Sequence, residues 1–343
     1  MKKILKYINT LRFLRPIQFF YRLRYTIFGF RSIKMSNRVI VPQNVNILLE
    51  ESDCEKTYVD RFNPDSILKN NITLLNEIVK FTPGKWKYEE QTHLWNFNLH
   101  YFEYAISLGV RYKQTNDKKY YKKYRELYLD WLENNNTFHN DAWHPYTISL
   151  RIVNILVANE LFSTCIKTDK DFYEKINKSL YWQFLFLEKN KELHLLGNHY
   201  FENIKTLYIA SVYFNDQHRQ KKYAKKIISV IKEQVLPDGM HYELSFMYQN
   251  ILVEGLLRVY QCCLDYKFKE TLKQYISLML DASNFIEQKN NRLPLFNDSG
   301  EDVAKSIVSL NASAESLFDY TYKNNVKALE YAGYYRLDSD GYS

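Results

Sequence analysis

Leu195-Leu196-Gly197-Asn198-His199-Tyr200-Phe201-Glu202-Asn203 opens the stretch around which the chain is organised, and Pro237-Asp238-Gly239-Met240-His241-Tyr242-Glu243-Leu244-Ser245-Phe246-Met247-Tyr248 closes it. Both ends share one grammar: a Gly-containing turn, polar and aromatic residues, then an apolar run of helical length. A turn that feeds a helix leaves backbone N–H groups without partners at the positive end of the macrodipole, where an anionic group is welcome. Asn198 and His199 stand at the first start and can aim further donors at a carboxylate. Tyr248 follows the second start and can carry a phenolic proton. One intervening helix, read at Gln217–Val235, returns the chain, so both starts should open on the same face.

Outward from this stretch the pattern stays helical. Pro16 to Phe28 reads as a helix with Pro at its first position. Residues 31–62 read as loop, with a short strand near Val39–Val41. Asn63-Pro64-Asp65-Ser66 signals a helix to about Phe81, stopped by Thr82-Pro83-Gly84. Further helices are expected at Asn98–Leu108, from Asn116-Asp117 to Asn134, Pro145–Cys165, Lys170–Glu188, Asn198–Phe214, Ser245–Cys263 and Lys269–Gln288. Several, such as Ile148–Val157, are apolar on more than one face and must lie between others. Paired helices closing into a ring, inner ones buried and outer ones half-wet, satisfy this pattern. No repeat of fixed length is visible, which disfavours a solenoid.

The 30 Tyr and 21 Phe residues are far from ordinary usage, and with Gly at 9 and Pro at 7 breakers are few. Such aromatic content suits thick helix packing or a groove where sugar faces lie on rings. Net charge is +8, yet residues 1–40 hold 10 Lys or Arg and no acid, leaving 37 basic against 39 acidic residues beyond them. The body is therefore no basic platform for nucleic acid. The arm could touch a membrane surface, but Phe19, Phe20, Tyr21, Leu23, Ile27 and Phe28 make packing against the body the favoured expectation. No secretory signal is evident, since Lys6, Arg12, Arg15 and Pro16 interrupt the early apolar residues, and a cytoplasmic location is expected. Cys54, Cys165, Cys262 and Cys263 show no paired-Cys metal spacing, so neither a zinc site nor a disulfide framework is expected.

Several motifs occur together and in order. They are Trp95-Asn96-Phe97-Asn98-Leu99-His100-Tyr101-Phe102, Trp143-His144-Pro145-Tyr146-Thr147-Ile148-Ser149-Leu150-Arg151, Gly197-Asn198-His199 and Ser245-Phe246-Met247-Tyr248. Arg15-Pro16-Ile17-Gln18 precedes them and Leu293-Pro294-Leu295-Phe296-Asn297-Asp298 follows. The set resembles the N-terminal region of the heparinase II/III family of polysaccharide lyases, related to toroid alginate lyases. The resemblance implies an all-α, incomplete (α/α) toroid of paired antiparallel helices followed by a C-terminal β-sandwich, and β-elimination on a uronic-acid polysaccharide. No HExxH or tight His/carboxylate spacing supports a metal, and no cofactor is expected. It implies Asn198 and His199 as neutralisers of the uronate carboxylate and Tyr248 as base or acid. Candidate substrate-binding residues are Arg151, Trp95, Asn98, His100, Tyr146, Glu202, His241 and Glu243. Related lyases make a periplasmic location the alternative.

The expected organisation is a basic arm and lead-in over 1–62, a toroid over 63–332 and a stub over 333–343. In the stub Gly333-Tyr334-Tyr335-Arg336-Leu337 resembles the first strand of a sandwich that is absent. A partner chain supplying that domain, a fragment, an interrupted gene and a toroid that binds without cleaving are the expectations this raises. A helical-toroid glycoside hydrolase using two of Glu202, Glu243 and Asp298 is a further alternative. Plainer readings stand beside these: an Asn before a helix is ordinarily a cap, and a His among aromatics is ordinarily packing. Asp298-Ser299-Gly300-Glu301-Asp302 resembles half a calcium loop, with a solvated acidic turn the stronger reading.

Overall fold

The computed structural model describes residues 14–34, 42–136, 138, 140–286, 294–301, 303–322 and 326–336. The helices are α1 (Pro16–Phe28), α2 (Glu50–Asp53), α3 (Lys56–Arg61), α4 (Pro64–Leu68), α5 (His93–Tyr101), α6 (Tyr104–Thr115) and α7 (Lys119–Asn134). They continue with α8 (Pro145–Leu161), α9 (Ser163–Thr168), α10 (Lys170–Lys189), α11 (Gly197–Tyr213), α12 (Gln217–Gln234), α13 (Phe246–Cys262), α14 (Tyr266–Ile286) and α15 (Ile307–Phe318). Helix starts carry the expected chemistry: Asp169, Asp216 and Ser245 side chains accept N–H groups of the first turns of α10, α12 and α13, and Pro occupies the first turn of α8.

Helices α6, α8, α11 and α13 pack one against the next as an inner row, with α7, α10, α12 and α14 paired behind them. The division follows from sequence. Helix α11 is buried continuously from Phe201 to Val212, whereas α12 buries only Tyr223, Ile227, Val230, Ile231 and Gln234. This is the incomplete helical toroid in physical form. Gly109 on α6 lets Leu161 of α8 approach within 2.8 Å of where a Cβ would stand, and Gly255 on α13 does the same for Phe201 and Lys205 of α11. Small residues at these crossings set how closely the inner row can stack.

The array is tied between its early and late parts. Arg258 of α13 donates to both carboxylate oxygens of buried Asp53 and to Ile47 O, while Ser52 bonds Ser309 O and Ser313 of α15. Residues 47–62 thus share the main core, and the loop expected there contains α2 and α3. The strand expected near Val39–Val41 lies outside the described residues.

Three further expectations are corrected. The helix read from Pro64 to Phe81 stops at Leu68, and strands β1 (Asn71–Leu74) and β2 (Glu77–Lys80) form an antiparallel hairpin. Leu75 and Asn76 at its tip have φ of 51° and 63°, the two positive values that match a hairpin's twist. The helix read at Asn98–Leu108 breaks at Phe102, whose φ is 58° and whose buried ring lies on Trp86 and Tyr128. Finally, α1 turns its apolar residues outward: Phe20 is 60% and Phe28 75% exposed, with Ile17, Phe19, Leu23 and Ile27 also exposed. Polar bonds fasten this helix instead, from Gln18 to Leu195 O, Arg22 to His194 O and Tyr25 to Lys191 O. Near the C-terminal end, β3 (Ala328–Leu329) pairs antiparallel with β4 (Tyr334–Tyr335).

Candidate active site

Because each inner helix is followed by an outer one that returns the chain, α8, α11 and α13 start at the same end of the array. His144 and Tyr146 at the start of α8, Asn198 and His199 at the start of α11, and Met247 and Tyr248 at the start of α13 line one cavity of about 560 Å³. Asn98 of α5, Glu202 and Lys205 of α11 and the hairpin tip at Leu75 and Asn76 complete its wall.

Local backbone explains the placement of Asn198. Leu196 and Gly197 both have positive φ, 63° and 57°, so the chain turns sharply into α11. A Cβ on Gly197 would sit 2.8 Å from Glu243 Oε1, and the Asn198 N–H bonds the Glu243 carboxylate. Glu243 therefore already occupies part of the anion-attracting helix start. Burial raises its pKa, with the Asn198 N–H and His199 acting the other way. The Asn198 side-chain oxygen accepts the His199 N–H at 2.9 Å.

His199 packs its ring on Tyr146 with centroids 4.4 Å apart, and its Nδ1 lies 3.1 Å from Oε1 of Glu192. Glu192 is fully buried. Burial would raise its pKa, but the His199 hydrogen bond, the nearby His199 and His144 rings and the Asn203 amide outweigh that and hold it below the usual range. Sequence reading missed Glu192; the available signal was a lone acid in a His- and Leu-rich turn seven residues before His199.

Tyr248 donates to Asp298 Oδ2 at 2.9 Å. Burial, this bond and the negative charges of Asp298 and Glu243 push its pKa up to about 12. The loop carrying Asp298 is seated on the start of α13 through Ser299, whose hydroxyl meets the Phe246 N–H and Ser245 Oγ. Asp298 thus works as a hydrogen-bond acceptor behind Tyr248, and no group of three or more His, Cys, Asp or Glu suited to a metal ion occurs among the described residues.

Other expected site residues lie elsewhere. Arg151 is fully buried, bonded to Gln183, His100 O and Ala142 O, with its guanidinium over Trp131, so no donor is directed to the cavity. His100 accepts the Trp131 N–H, and burial with the Arg151 charge pushes its pKa down to about 3. Trp95 is a core residue against Tyr88. His241 is buried against Gln234, its pKa pushed down to about 4 by burial. Glu202 faces the cavity but is ion-paired with Lys205, one oxygen of its carboxylate having no hydrogen-bond partner. Arg61 and Arg258, the other cations of the described lining, are paired with Glu103 and Glu254 at 2.7 and 2.6 Å.

Comparison with known proteins agrees with this architecture. The family model described as Heparinase II/III N-terminus matches residues 66–325. A heparin-sulfate lyase of Pedobacter heparinus is 25% identical over 227 residues, covering 62% of this chain and 34% of that protein. One from Bacteroides thetaiotaomicron is 22% identical over 339 residues, covering 85% of this chain and 48% of that protein. The solved heparan sulfate lyase HepC from Pedobacter heparinus superposes with a TM-score of 0.55 at 20% identity, over 82% of this chain and 45% of that one. A heparinase III structure gives 0.58 at 18% identity, over 90% and 50%. These structural likenesses speak for the fold, and the chain spans half or less of the length of these relatives.

Proposed function

The chain belongs to the heparinase II/III family, and from that premise we propose that it is the toroid part of a polysaccharide lyase acting by β-elimination on a uronic-acid glycan. The observation that carries the proposal is the meeting of Asn198, His199 and Tyr248 in one cavity. A proton alpha to a carboxylate becomes removable once that carboxylate is neutralised and the growing enolate is met by fixed donors. Asn198 and His199, at a helix start, are assigned that work. Tyr248 is assigned the proton transfer. As the phenolate it can accept the proton on C5, and the phenol so formed can give that proton to the leaving O4.

The test is ultraviolet detection of unsaturated uronates from heparan, alginate, hyaluronan and bacterial capsules, with the chain alone and with a sandwich domain of a relative added as a partner chain. Product from any of them supports the reading. Silence across the panel with folded protein overturns it. A second reading, acidic-glycan binding without turnover, draws support from the raised pKa of Tyr248, because the charges beside it are negative and none primes it as a base. Calorimetric binding with no unsaturated product would select it. The hydrolase reading loses ground, since Glu202, Glu243 and Asp298 are each engaged by Lys205, Asn198 and Tyr248.

The partner chemistry extends to α1. Its exposed Phe19, Phe20, Leu23, Ile27 and Phe28 lie within a segment of ten basic and no acidic residues, the combination that suits an anionic lipid surface. Sedimentation with anionic but not zwitterionic vesicles, reversed by salt, is the expected result. Equal sedimentation with both, or with neither, removes this partner.

A further inference from the structure

Glu192 lies outside every role assigned so far, and its surroundings are built. It sits in the turn between α10 and α11 with its carboxylate fully enclosed. Asn203, one turn into α11 from His199, grips it twice: its amide donates to Oε2 at 3.1 Å and its oxygen accepts the Glu192 N–H at 2.7 Å. The same amide reaches Ser149 Oγ of α8 at 3.0 Å. This clamp prevents the carboxylate from rotating away. Its other oxygen, Oε1, meets His199 Nδ1 at 3.1 Å, while His144 Nε2 stands 3.9 Å from it, beyond hydrogen-bond reach.

A ring nitrogen carrying a lone pair would be repelled by that oxygen, so the proton of the neutral ring belongs on Nδ1. Nε2 is then the nitrogen left for a guest. We propose that Glu192 is the positioning residue of this site, fixing the tautomer and aim of His199 so that Nε2 addresses the substrate. The catalytic consequence rests on the lyase reading above, but the proton placement does not. The charged and titratable groups around His199 are Glu192 and His194 on the turn, His144 before α8, Tyr146 on α8 and Glu243 before α13. Behind His144, Asp141 is occupied by His93 at 3.1 Å.

Nitrogen-15 NMR of histidine-labelled full-length protein, with the His199 signals assigned by their loss in His199→Gln, reads this directly and needs no substrate. The expected neutral form carries its proton on Nδ1. Glu192→Gln should mix the two tautomers, because an amide can present either its oxygen or its N–H to Nδ1. In turnover, the same variant should lose at least about tenfold in kcat with KM little changed. A native neutral ring protonated on Nε2, or a variant with unaltered tautomer, overturns the proposal. Should no glycan be cleaved, the lyase reading falls while the NMR still decides for or against Glu192.

Discussion

At the scale of single residues, the site turns on one acceptor and two kinds of donor. Asp298 keeps the Tyr248 proton in place and disfavours the phenolate. Asp298→Asn removes that negative charge, so the phenolate forms at lower pH. If Tyr248 acts as base, the alkaline rise of the rate should move to lower pH in this variant, and a pH–rate profile checks it. Tyr248→Phe should abolish elimination yet leave glycan binding intact by calorimetry, since only the proton carrier is lost. Asn198→Ala should lower kcat by the equivalent of about 2.7–4 kcal/mol if its amide stabilises the enolate. Residue type alone could not separate Arg151, Trp95, His100 and His241 from the cavity residues. An Arg in a core and an Arg in a groove look alike until the acceptors around them are known, and two of the acceptors of Arg151, Gln183 and His100 O, lie 32 and 51 residues away along the chain.

At the scale of elements, most helix starts were legible because capping is local: Pro145, Asp169, Asp216 and Ser245 act within four residues of themselves. The hairpin at residues 71–80 was not legible, because Ile72, Leu74, Ile78 and Val79 are as compatible with a buried helix as with strands. Leu75, moreover, is an unusual residue for a positive φ. Glycine at a helix crossing is a further case, visible in sequence but uninformative until its neighbour is known. Gly255→Ala should place a methyl group against Phe201 and Lys205 and press α13 away from α11. The expected cost is about 1–3 kcal/mol in urea unfolding. Because these two helices carry Asn198 and Tyr248, the activity of the folded fraction should fall as well; full activity in a stable Gly255→Ala protein would show that their spacing is not critical.

At the scale of the whole molecule, the general ring-like arrangement followed from helices too apolar for a surface, whereas the fastening of its early part to its late part did not. That fastening is Asp53 with Arg258 and Lys305. Arg258→Ala leaves Asp53 buried without its main counter-charge and should cost about 3–5 kcal/mol. Burial would raise the Asp53 pKa, but Arg258 and Lys305 hold it below its ordinary value of 3.8. Its contribution is therefore present above 3.8 and lost as pH falls through the lower folded value. Acid unfolding monitored by circular dichroism should show this loss in the native chain and less of it in Arg258→Ala. The paired cavity lining has its own consequence. Arg61, Lys205 and Arg258 each face an internal carboxylate, so a guest anion enters a site whose positive charge is already matched. His144 in that lining is held neutral-leaning by burial, which lowers its pKa. An arriving carboxylate adds its charge to that of Glu192 and offsets the hydration that burial removes, and association becomes a proton-consuming reaction: the heat of binding should change with the ionisation enthalpy of the buffer, and the affinity should weaken as the solution is made alkaline.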